Sequence, residues 1–363
     1  MKYNQPLLFA PNRVWRLYTG GMLLDRFLGT KNESDGHFPE DWLASTVTAK
    51  NGEHTQGPDE GLARIMVDDK PDSCLQELLL KDGASILGTK HLLKFGANTA
   101  VLCKYLDSAV RLPIQCHPDV VTALKLFNSP FGKTECWHII STRKINGEEP
   151  YILLGFKPSI KQLAFVRAVK EQDIPAMINM LHKIPVNPGD TYFVPARIPH
   201  AIGPGVFMLE VQEPSDWVIQ PEEYCADIKL SITDMWGTLS PEQGLKVFDY
   251  KGLTEKELLK RVAPSNRILH KTDNIRIVEL IGPQHTSAFG LWKVIVSGTT
   301  LIQLPTQFAI IVVEKGSGTF HWADKTKPMK QSDYLLKPAN LEGLEFRTDS
   351  QLELLVCLPP VVH

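Results

Sequence analysis

The sequence lacks the features of a membrane or secreted protein. None of its apolar runs is long enough to span a bilayer, and the first residues, MKYNQPLLFAPNRVW, have neither the apolar core nor the cleavage site of a signal peptide. The cysteines show no CxxC spacing, and several lie in apolar, strand-like runs where a reduced cysteine acts as a small hydrophobic residue. They are Cys74, Cys103, Cys116, Cys136, Cys225 and Cys357. These absences predict a cytoplasmic enzyme with no membrane partner.

Concentrated charge is also missing. The formal net charge is -2, and no run of lysine or arginine approaches a polybasic patch, which excludes nucleic acid as an expected partner. With 43% hydrophobic and 22% charged residues, the composition is that of an ordinary soluble globular protein. A chain of 363 residues is long enough for two domains or for one large all-β unit, and its composition does not indicate an oligomeric state.

The most informative stretch is LPIQCHPD at 112–119. It alternates like a β-strand, so that Ile114 and Cys116 share one face while Gln115 and His117 share the other. An amide oxygen and an imidazole two residues apart on one strand can converge on a single metal ion. Taken alone, a histidine next to a proline is more often an ordinary loop residue with a satisfied hydrogen bond.

Two more potential ligands follow in strand-like contexts. Glu135 lies in GKTECWHII and His200 lies in VPARIPHAIGPG. Two imidazoles, one carboxylate and one amide oxygen form a mixed nitrogen and oxygen set, which suits Zn²⁺ better than a hard ion such as Mg²⁺. The combination of four such residues therefore predicts a metal site.

The three blocks LPIQCHPD, GKTECW and HAIGPGVFMLEVQEPSDW resemble the zinc-site blocks of the type I mannose-6-phosphate isomerases, which are cupins. The resemblance runs from Trp15 to about Gly252 and continues weakly to the C-terminus. It implies a mainly β fold of two cupin (jelly-roll) barrels with helical insertions. It also implies one Zn²⁺ per chain, with the ligands Gln115, His117, Glu135 and His200.

The resemblance also implies a division of the chain into domains. Residues 1–98 are expected to form an N-terminal extension that packs on the catalytic barrel. The metal-binding cupin is expected at 99–240, with a helical insert near 159–184. A helical linker at 241–270 should lead to a degenerate cupin at 271–363. There the cupin-like turn EKGSG is retained, but the metal ligands are lost.

Two positions depart from the family pattern. Gln220 stands where active members carry an arginine near the substrate, and Pro113 stands where many members carry a serine. Arg197, three residues before His200, is the nearby arginine that could reach the mouth of the pocket instead. Loss of one preorganised donor typically lowers kcat by about 10²–10³, so weak or altered activity is expected.

Lysines and a further glutamate complete the expected site. By resemblance, Lys104 and Lys133 point into the active site, whereas either lysine taken alone would more often be a solvated surface residue. Two ammonium groups beside a divalent ion would form an electropositive pocket that suits a sugar phosphate. Glu40, which precedes Asp41 and a tryptophan, is a candidate base, and a zinc-bound water is the alternative.

The resemblance implies the interconversion of mannose 6-phosphate and fructose 6-phosphate through an enediol. The candidate catalytic residues are Lys133, Lys104, Glu40, Gln220 and Arg197. Two other hypotheses stay open: a non-catalytic zinc cupin that binds a sugar phosphate, and an isomerase for a different sugar. The expected partner is in each case a small-molecule sugar or sugar phosphate.

Overall fold

The structure, a computed structural model, describes residues 3–302 and 307–362. The other residues of the expected N-terminal extension and C-terminal cupin lie outside the described ranges. Sheets dominate the described chain, and helices connect or flank them. None of the helices formed by these residues combines the length and the apolar character that crossing a membrane requires.

The strands of the first 240 residues form two sheets of unequal size and two short hairpins. A 6-stranded antiparallel sheet has the order β1-β2-β5-β11-β6-β9, and a 3-stranded sheet has the order β10-β7-β8. The bounds are β1 (Arg13–Val14), β2 (Glu40–Leu43), β3 (Arg64–Val67), β4 (Lys70–Cys74), β5 (Leu102–Ser108), β6 (Glu135–Thr142), β7 (Tyr151–Phe156), β8 (Leu181–Pro185), β9 (Thr191–Val194), β10 (His200–Ile202), β11 (Val206–Gln212), β12 (Tyr224–Cys225) and β13 (Ile228–Lys229).

The C-terminal strands form a separate 8-stranded sheet. Its main path has the order β14-β15-β16-β21-β17-β20, and β18 pairs with β19 and β21. The bounds are β14 (Arg267–Lys271), β15 (Ile275–Ile281), β16 (Gly290–Leu301), β17 (Ala309–Lys315), β18 (Ser317–Trp322), β19 (Lys325–Lys330), β20 (Tyr334–Lys337) and β21 (Glu345–Leu358). The tight turn in EKGSG joins β17 to β18 at Gly316, whose φ of 89° is readily adopted by glycine.

Helices lie between the strands. The bounds are α1 (Met22–Leu28), α2 (Leu75–Ile86), α3 (Thr89–Phe95), α4 (Val120–Phe127), α5 (Gln162–Glu171), α6 (Ile174–Asn179), α7 (Ile232–Trp236), α8 (Pro241–Leu245) and α9 (Glu255–Val262), with a 3-10 turn at Gly52–His54. The two helices α5 and α6 fall within the helical insert expected near 159–184. Within the linker expected at 241–270, the helices α8 and α9 form, but β14 already begins at Arg267.

The 6-stranded sheet is buried on both faces, which decides where the functional side chains can point. Along β11, Val206 and Met208 pack in the core shared with the 3-stranded sheet. Phe207 and Leu209 alternate with them and pack in the core shared with the C-terminal sheet. Polar residues on the first of these faces therefore point into the space between the 6-stranded and 3-stranded sheets.

The segment 112–119 does not form the regular strand that its alternation predicts. It makes isolated bridges instead, from Gln115 to His200 and from Cys116 to Ile219. The proline rings of PIQCHP have no N–H to donate, so they interrupt any continuous ladder. The expected alternation of faces is nevertheless present, because Cys116 is fully buried in the apolar core while Gln115 lines a cavity.

Candidate metal centre and cavity

Neighbouring strands bring the polar residues of the site together. In the sheet register, Glu210 on β11 lies between Lys104 on β5 and Trp137 on β6, and Gln212 lies opposite Glu135. The period of two along each strand places Lys104, Glu210 and Glu135 on the face toward the 3-stranded sheet. The sheet therefore presents one lysine and two carboxylates to a common space.

Two histidines reach the same space from outside this sheet. The backbone N–H of His200 donates to the carbonyl of Gln115 at 2.9 Å, and the reverse bond is 2.8 Å long, so the two segments run side by side. The Nε2 atoms of His117 and His200 are 3.2 Å apart. Oxygens of Glu135 lie 3.1 Å from Nε2 of His117 and 3.8 Å from Nε2 of His200. All three side chains are buried.

Backbone carbonyls fix the tautomers of both imidazoles. Nδ1 of His117 lies 2.9 Å from the carbonyl oxygen of Trp217, and Nδ1 of His200 lies 2.9 Å from that of Ile198. A carbonyl can only accept, so each Nδ1 carries the proton and each neutral ring directs the lone pair of Nε2 inward. Burial lowers the pKa of both histidines, with His200 at about 3, so both rings are neutral at physiological pH.

Three hydrogen-bond acceptors therefore face one another: Nε2 of His117, Nε2 of His200 and the carboxylate of Glu135. None of the three carries a proton that it could donate to the others. Burial alone would raise the pKa of Glu135, but Lys133 and His117 lower it well below its usual range, so the group is a carboxylate. Its Oε1 atom is buried and has no hydrogen-bond partner of good geometry among the described residues. Lone pairs that face one another at these distances repel unless a cation lies between them.

The donor set and its spacing fit a divalent ion. A four-coordinate ion that binds imidazole nitrogen at about 2.0–2.1 Å would hold two such nitrogens about 3.3 Å apart. The observed separation of His117 and His200 is 3.2 Å. Nζ of Lys133 lies close by, at 3.0 Å from Glu135 and 3.2 Å from His117, and supplies part of the positive charge. His117, Glu135 and His200 can therefore hold a metal ion.

Gln115 is the fourth expected ligand. The structure places its half-buried side chain on the wall of the cavity, next to the histidine with which its backbone pairs. Direct coordination by its amide oxygen stays a prediction.

A cavity of about 470 Å³ adjoins the histidine and glutamate cluster. This volume is typical of a site for a small molecule. Of the expected catalytic residues, four line it: Glu40, Lys104, Lys133 and Gln220.

Lys104 and Glu40 belong to a buried ionic network. Nζ of Lys104 lies 3.3 Å from Glu210 and 3.6 Å from Glu40. Burial would raise the pKa of Glu40, but Arg16 and Lys104, together with hydrogen bonds from Tyr18 and the tryptophan at position 42, lower it to about 2. Glu40 is therefore an ionised carboxylate that holds two cations in place.

The carboxyl group of Glu210 differs in character from that of Glu40. Burial and the nearby charge of Glu135 raise the pKa of Glu210 to about 8, although Lys104 and Lys133 oppose the rise. A cation held by Glu135 would remove part of that repulsion and so would lower the pKa of Glu210. A carboxyl group with such a pKa can both release and accept a proton near physiological pH.

Arg16 is a cavity residue that sequence reasoning missed. Its Nε donates to Glu40 at 3.0 Å, and its two terminal nitrogens each donate to Asp216 at 3.2 Å. Arg16 and Asp216 are separated by 200 positions in the chain. No local pattern around Arg16 distinguishes it from an ordinary surface arginine, so the sequence carried no signal for this contact.

Of the other two expected catalytic residues, Gln220 lines the cavity and Arg197 does not. Gln220 faces the cavity, and its Nε2 donates to the carbonyl of Asp234 at 3.2 Å. Arg197 is not among the residues that line the cavity in the described chain; its Nε donates to the carbonyl of Val247 at 3.0 Å. The guanidinium that reaches the cavity is that of Arg16.

His321, in the C-terminal sheet, differs from His117 and His200 because hydroxyl groups bond to its ring nitrogens. Both ring nitrogens of His321 are engaged by hydroxyl groups, Nε2 with Thr319 at 2.7 Å and Nδ1 with Thr326 at 2.8 Å. Across the described ranges, the grouping of His117, Glu135 and His200 is the one set of histidine, cysteine and acidic side chains close enough to share an ion.

The fold and the site together define a mainly β protein in which a buried cluster able to hold a cation adjoins a cavity. No family model matches the chain. The chain is 28% identical over 265 residues to the mannose-6-phosphate isomerase ManA of Bacillus subtilis, a match that covers 72% of this chain and 75% of that protein. It is 27% identical over 256 residues to the mannose-6-phosphate isomerase of Streptococcus mutans, covering 69% of this chain and 72% of that protein.

Solved structures agree in fold. The mannose 6-phosphate isomerase from Bacillus subtilis superposes with a TM-score of 0.74 at 23% identity, covering 98% of this chain and 99% of that one. A single-site variant of the phosphomannose isomerase from Salmonella typhimurium gives a TM-score of 0.71 at 14% identity, covering 98% and 100%. The chain is thus similar in sequence to mannose-6-phosphate isomerases and in fold to solved structures of that enzyme, the enzyme whose zinc-site blocks its three sequence blocks resemble.

Proposed function

We propose that this protein is a zinc-dependent aldose–ketose isomerase that interconverts mannose 6-phosphate and fructose 6-phosphate. The observation that carries the proposal is the convergence of His117, Glu135 and His200 beside a cavity lined by lysines. Gln115 would complete the ligand set. The names of its relatives supply the substrate.

The reaction moves a proton between C2 and C1 of the open-chain sugar while a second proton moves between the two oxygens. Bound Zn²⁺ supplies a Lewis acid that stabilises negative charge on those oxygens. Lys133 and Lys104 line the same cavity as Glu135, and their ammonium groups can stabilise the same developing charge.

Glu210 is the carboxyl group best suited to carry the proton. An acid–base catalyst works best when its pKa lies near the working pH, and the pKa of Glu210 is raised toward that range. Glu40, the base considered from sequence, accepts hydrogen bonds from Arg16, Tyr18 and the indole at position 42. With a pKa of about 2, Glu40 is a weak base that serves to orient Arg16 and Lys104.

A second candidate function is the isomerisation of a different sugar. It is favoured by Gln220, which presents a neutral amide to the cavity where a family arginine is expected. Both candidate functions require the metal cluster and Glu210 as the acid–base group. They differ only in the part of the sugar that is remote from C1 and C2.

A coupled assay with zinc-loaded protein tests the proposal. Mannose 6-phosphate should be converted to fructose 6-phosphate, and Glu210→Gln should lower kcat by about 10²–10⁴ while zinc content is retained. Glu149→Gln, at an exposed carboxylate paired with Lys144, is the matched control and should leave kcat unchanged. Turnover of mannose but not of its phosphate would support the second candidate, and no turnover of either sugar would refute isomerisation.

We also propose that the architecture consists of two cupin units. The expected metal-binding unit, 99–240, contains the 3-stranded sheet and most of the 6-stranded sheet, and the expected metal-free unit, 271–363, contains most of the 8-stranded sheet. Strands β1 and β2 join the 6-stranded sheet from the N-terminal extension, 1–98, which supports the idea that the extension completes the metal-binding unit.

A further inference from the structure

Four cationic side chains line the cavity, and three of them are already paired with carboxylates. Arg16 is paired with Glu40 and Asp216. Lys104 and Lys133 are paired with Glu210 and Glu135, respectively. Their positive charge is largely balanced by protein carboxylates before any substrate binds. The fourth cation is Lys50.

Lys50 has no such carboxylate partner. Among the described residues, no carboxylate oxygen lies within 4.0 Å of its Nζ atom. The ammonium group instead lies over the indole of Trp217, 3.1 Å from the ring centroid. Burial against the protein lowers the pKa of Lys50, and the charge of Asp216 opposes this fall without cancelling it. The group is thus a cation at the cavity wall whose charge is not balanced by an ion pair.

The position of Lys50 relative to the metal cluster is fixed at both ends of the residue. Its backbone N–H donates to Asp216 at 3.1 Å, the carboxylate that also holds Arg16. Its side chain rests on Trp217, whose carbonyl oxygen accepts the hydrogen bond from His117. Trp217 therefore contacts both the ammonium group of Lys50 and the imidazole of His117. Trp217 is itself held by stacking on Phe127, with ring centroids 4.4 Å apart.

The rest of the described cavity lining adds no further cation. Gln220, Thr233 and Thr238 contribute neutral amide and hydroxyl groups, and Asp234 is acidic. Among the described residues that line the cavity, Lys50 is therefore the cation without an ion-pair partner that an anionic group of a substrate could neutralise.

We infer that Lys50, seated on Trp217, binds the anionic end of the sugar substrate and sets the preference for a phosphorylated sugar. The inference rests on the proposed isomerase function. A phosphate group pairs with the ammonium group through charge-assisted hydrogen bonds, which are among the stronger contacts that a partly buried site can offer. The phosphate at C6 takes no part in the bond changes at C1 and C2, so a contact with it should stabilise the ground state and the transition state alike.

The variant Lys50→Met tests the inference with phosphorylated and unphosphorylated ligands. In the zinc-loaded protein, KM for mannose 6-phosphate should rise about tenfold or more while kcat changes less than about twofold, because uniform binding is lost. The dissociation constant of sorbitol 6-phosphate, which cannot isomerise, should rise by a similar factor. Binding of sorbitol itself should not change.

Two further variants act as controls. Lys50→Arg keeps the charge and should retain most of the affinity for sorbitol 6-phosphate. Lys90→Met removes an exposed lysine of α3 and should have no effect. Equal losses for sorbitol 6-phosphate and sorbitol, or no loss for either, would overturn the inference. If the protein turned over no sugar at all, the isomerase proposal would fail, yet a selective loss of sorbitol 6-phosphate binding in Lys50→Met would still support the role of Lys50.

Discussion

Replacing Arg16 with methionine should destabilise the protein far more than the loss of an ordinary surface arginine. The side chain of Arg16 is 12% exposed, and it pairs with Glu40 and Asp216, which are 3% and 11% exposed. Methionine fills a similar length of the site but cannot donate, so Arg16→Met would leave two carboxylates with fewer partners in a poorly solvated place.

Two estimates of the magnitude agree. Removal of one member of a buried ion pair typically costs about 3–5 kcal/mol. Glu40 has a pKa of about 2 against an ordinary value of 4.5, and a shift of that size corresponds to about 3 kcal/mol, shared among Arg16, Lys104 and the other donors. Burial would raise the pKa of Asp216, but the attraction of Arg16, Lys133 and Lys104 together lowers it. We therefore expect a loss of about 3 kcal/mol near neutral pH.

The lowered pKa values also predict how the loss of stability in Arg16→Met changes with pH. Both carboxylates have pKa values below those of the unfolded chain, so their contribution to stability is present above the unfolded pKa and is lost as the pH falls through the folded pKa. In Arg16→Met the pKa of Glu40 should rise. The difference in stability between the two proteins should therefore narrow as the pH falls from about 5 toward about 3.

Urea unfolding followed by tryptophan fluorescence, with a chelator present so that metal release does not contribute, measures these differences. The matched control is Arg26→Met, since Arg26 pairs with Glu33 at 2.8 Å but the two side chains are 60% and 34% exposed. The free energy of unfolding of Arg26→Met should fall by less than about 1 kcal/mol. A loss in Arg16→Met no larger than in the control, or a difference that does not narrow in acid, would refute the reasoning.

Three further predictions concern the metal and the substrate. Protein purified without chelator should contain about one equivalent of zinc by elemental analysis, and unchanged content in a His117→Ala, His200→Ala double variant would refute the ligand assignment. Gln220→Arg should raise kcat on mannose 6-phosphate about tenfold, equivalent to about 1.4 kcal/mol, with little change in KM; unchanged kcat would mean that other cavity cations already supply the charge. His321→Ala should alter neither metal content nor turnover, because both ring nitrogens of His321 already bond to hydroxyl groups, and a loss of metal would show a second site.

Several parts of the site could be predicted because they depend on local pattern. Alternation in PIQCHP places Gln115 and His117 on the side opposite Cys116, and the structure has this arrangement although no regular strand forms. The same rule places Lys133 beside Glu135, where their charged atoms are 3.0 Å apart. It places His138 on the other face, where its Nε2 lies 3.0 Å from Glu314 of the C-terminal sheet. The alternation of side chains along a strand depends only on neighbouring residues, so it can be predicted without knowing which distant residues meet.

Other parts could not be predicted from local pattern. The prolines in the first ligand segment suppress the ladder that alternation suggests, since an interrupted run of donors cannot pair continuously. Arg197 is close to His200 in sequence, yet its guanidinium bonds to the carbonyl of Val247 and does not line the cavity. Proximity along the chain therefore did not determine which arginine reaches the cavity.

The sequence by itself determined the kinds of donor and their faces: two imidazoles, a carboxylate and two lysines in strand-like runs. Only the tertiary structure decided the electrostatic character of these groups. Carbonyls of Trp217 and Ile198 select the tautomers of the histidines, and Asp216 brings in Arg16 from 200 positions away and fixes the backbone of Lys50. The physical reason is that a pKa, a tautomer or a buried ion pair depends on which groups meet after folding, and no local period specifies those contacts.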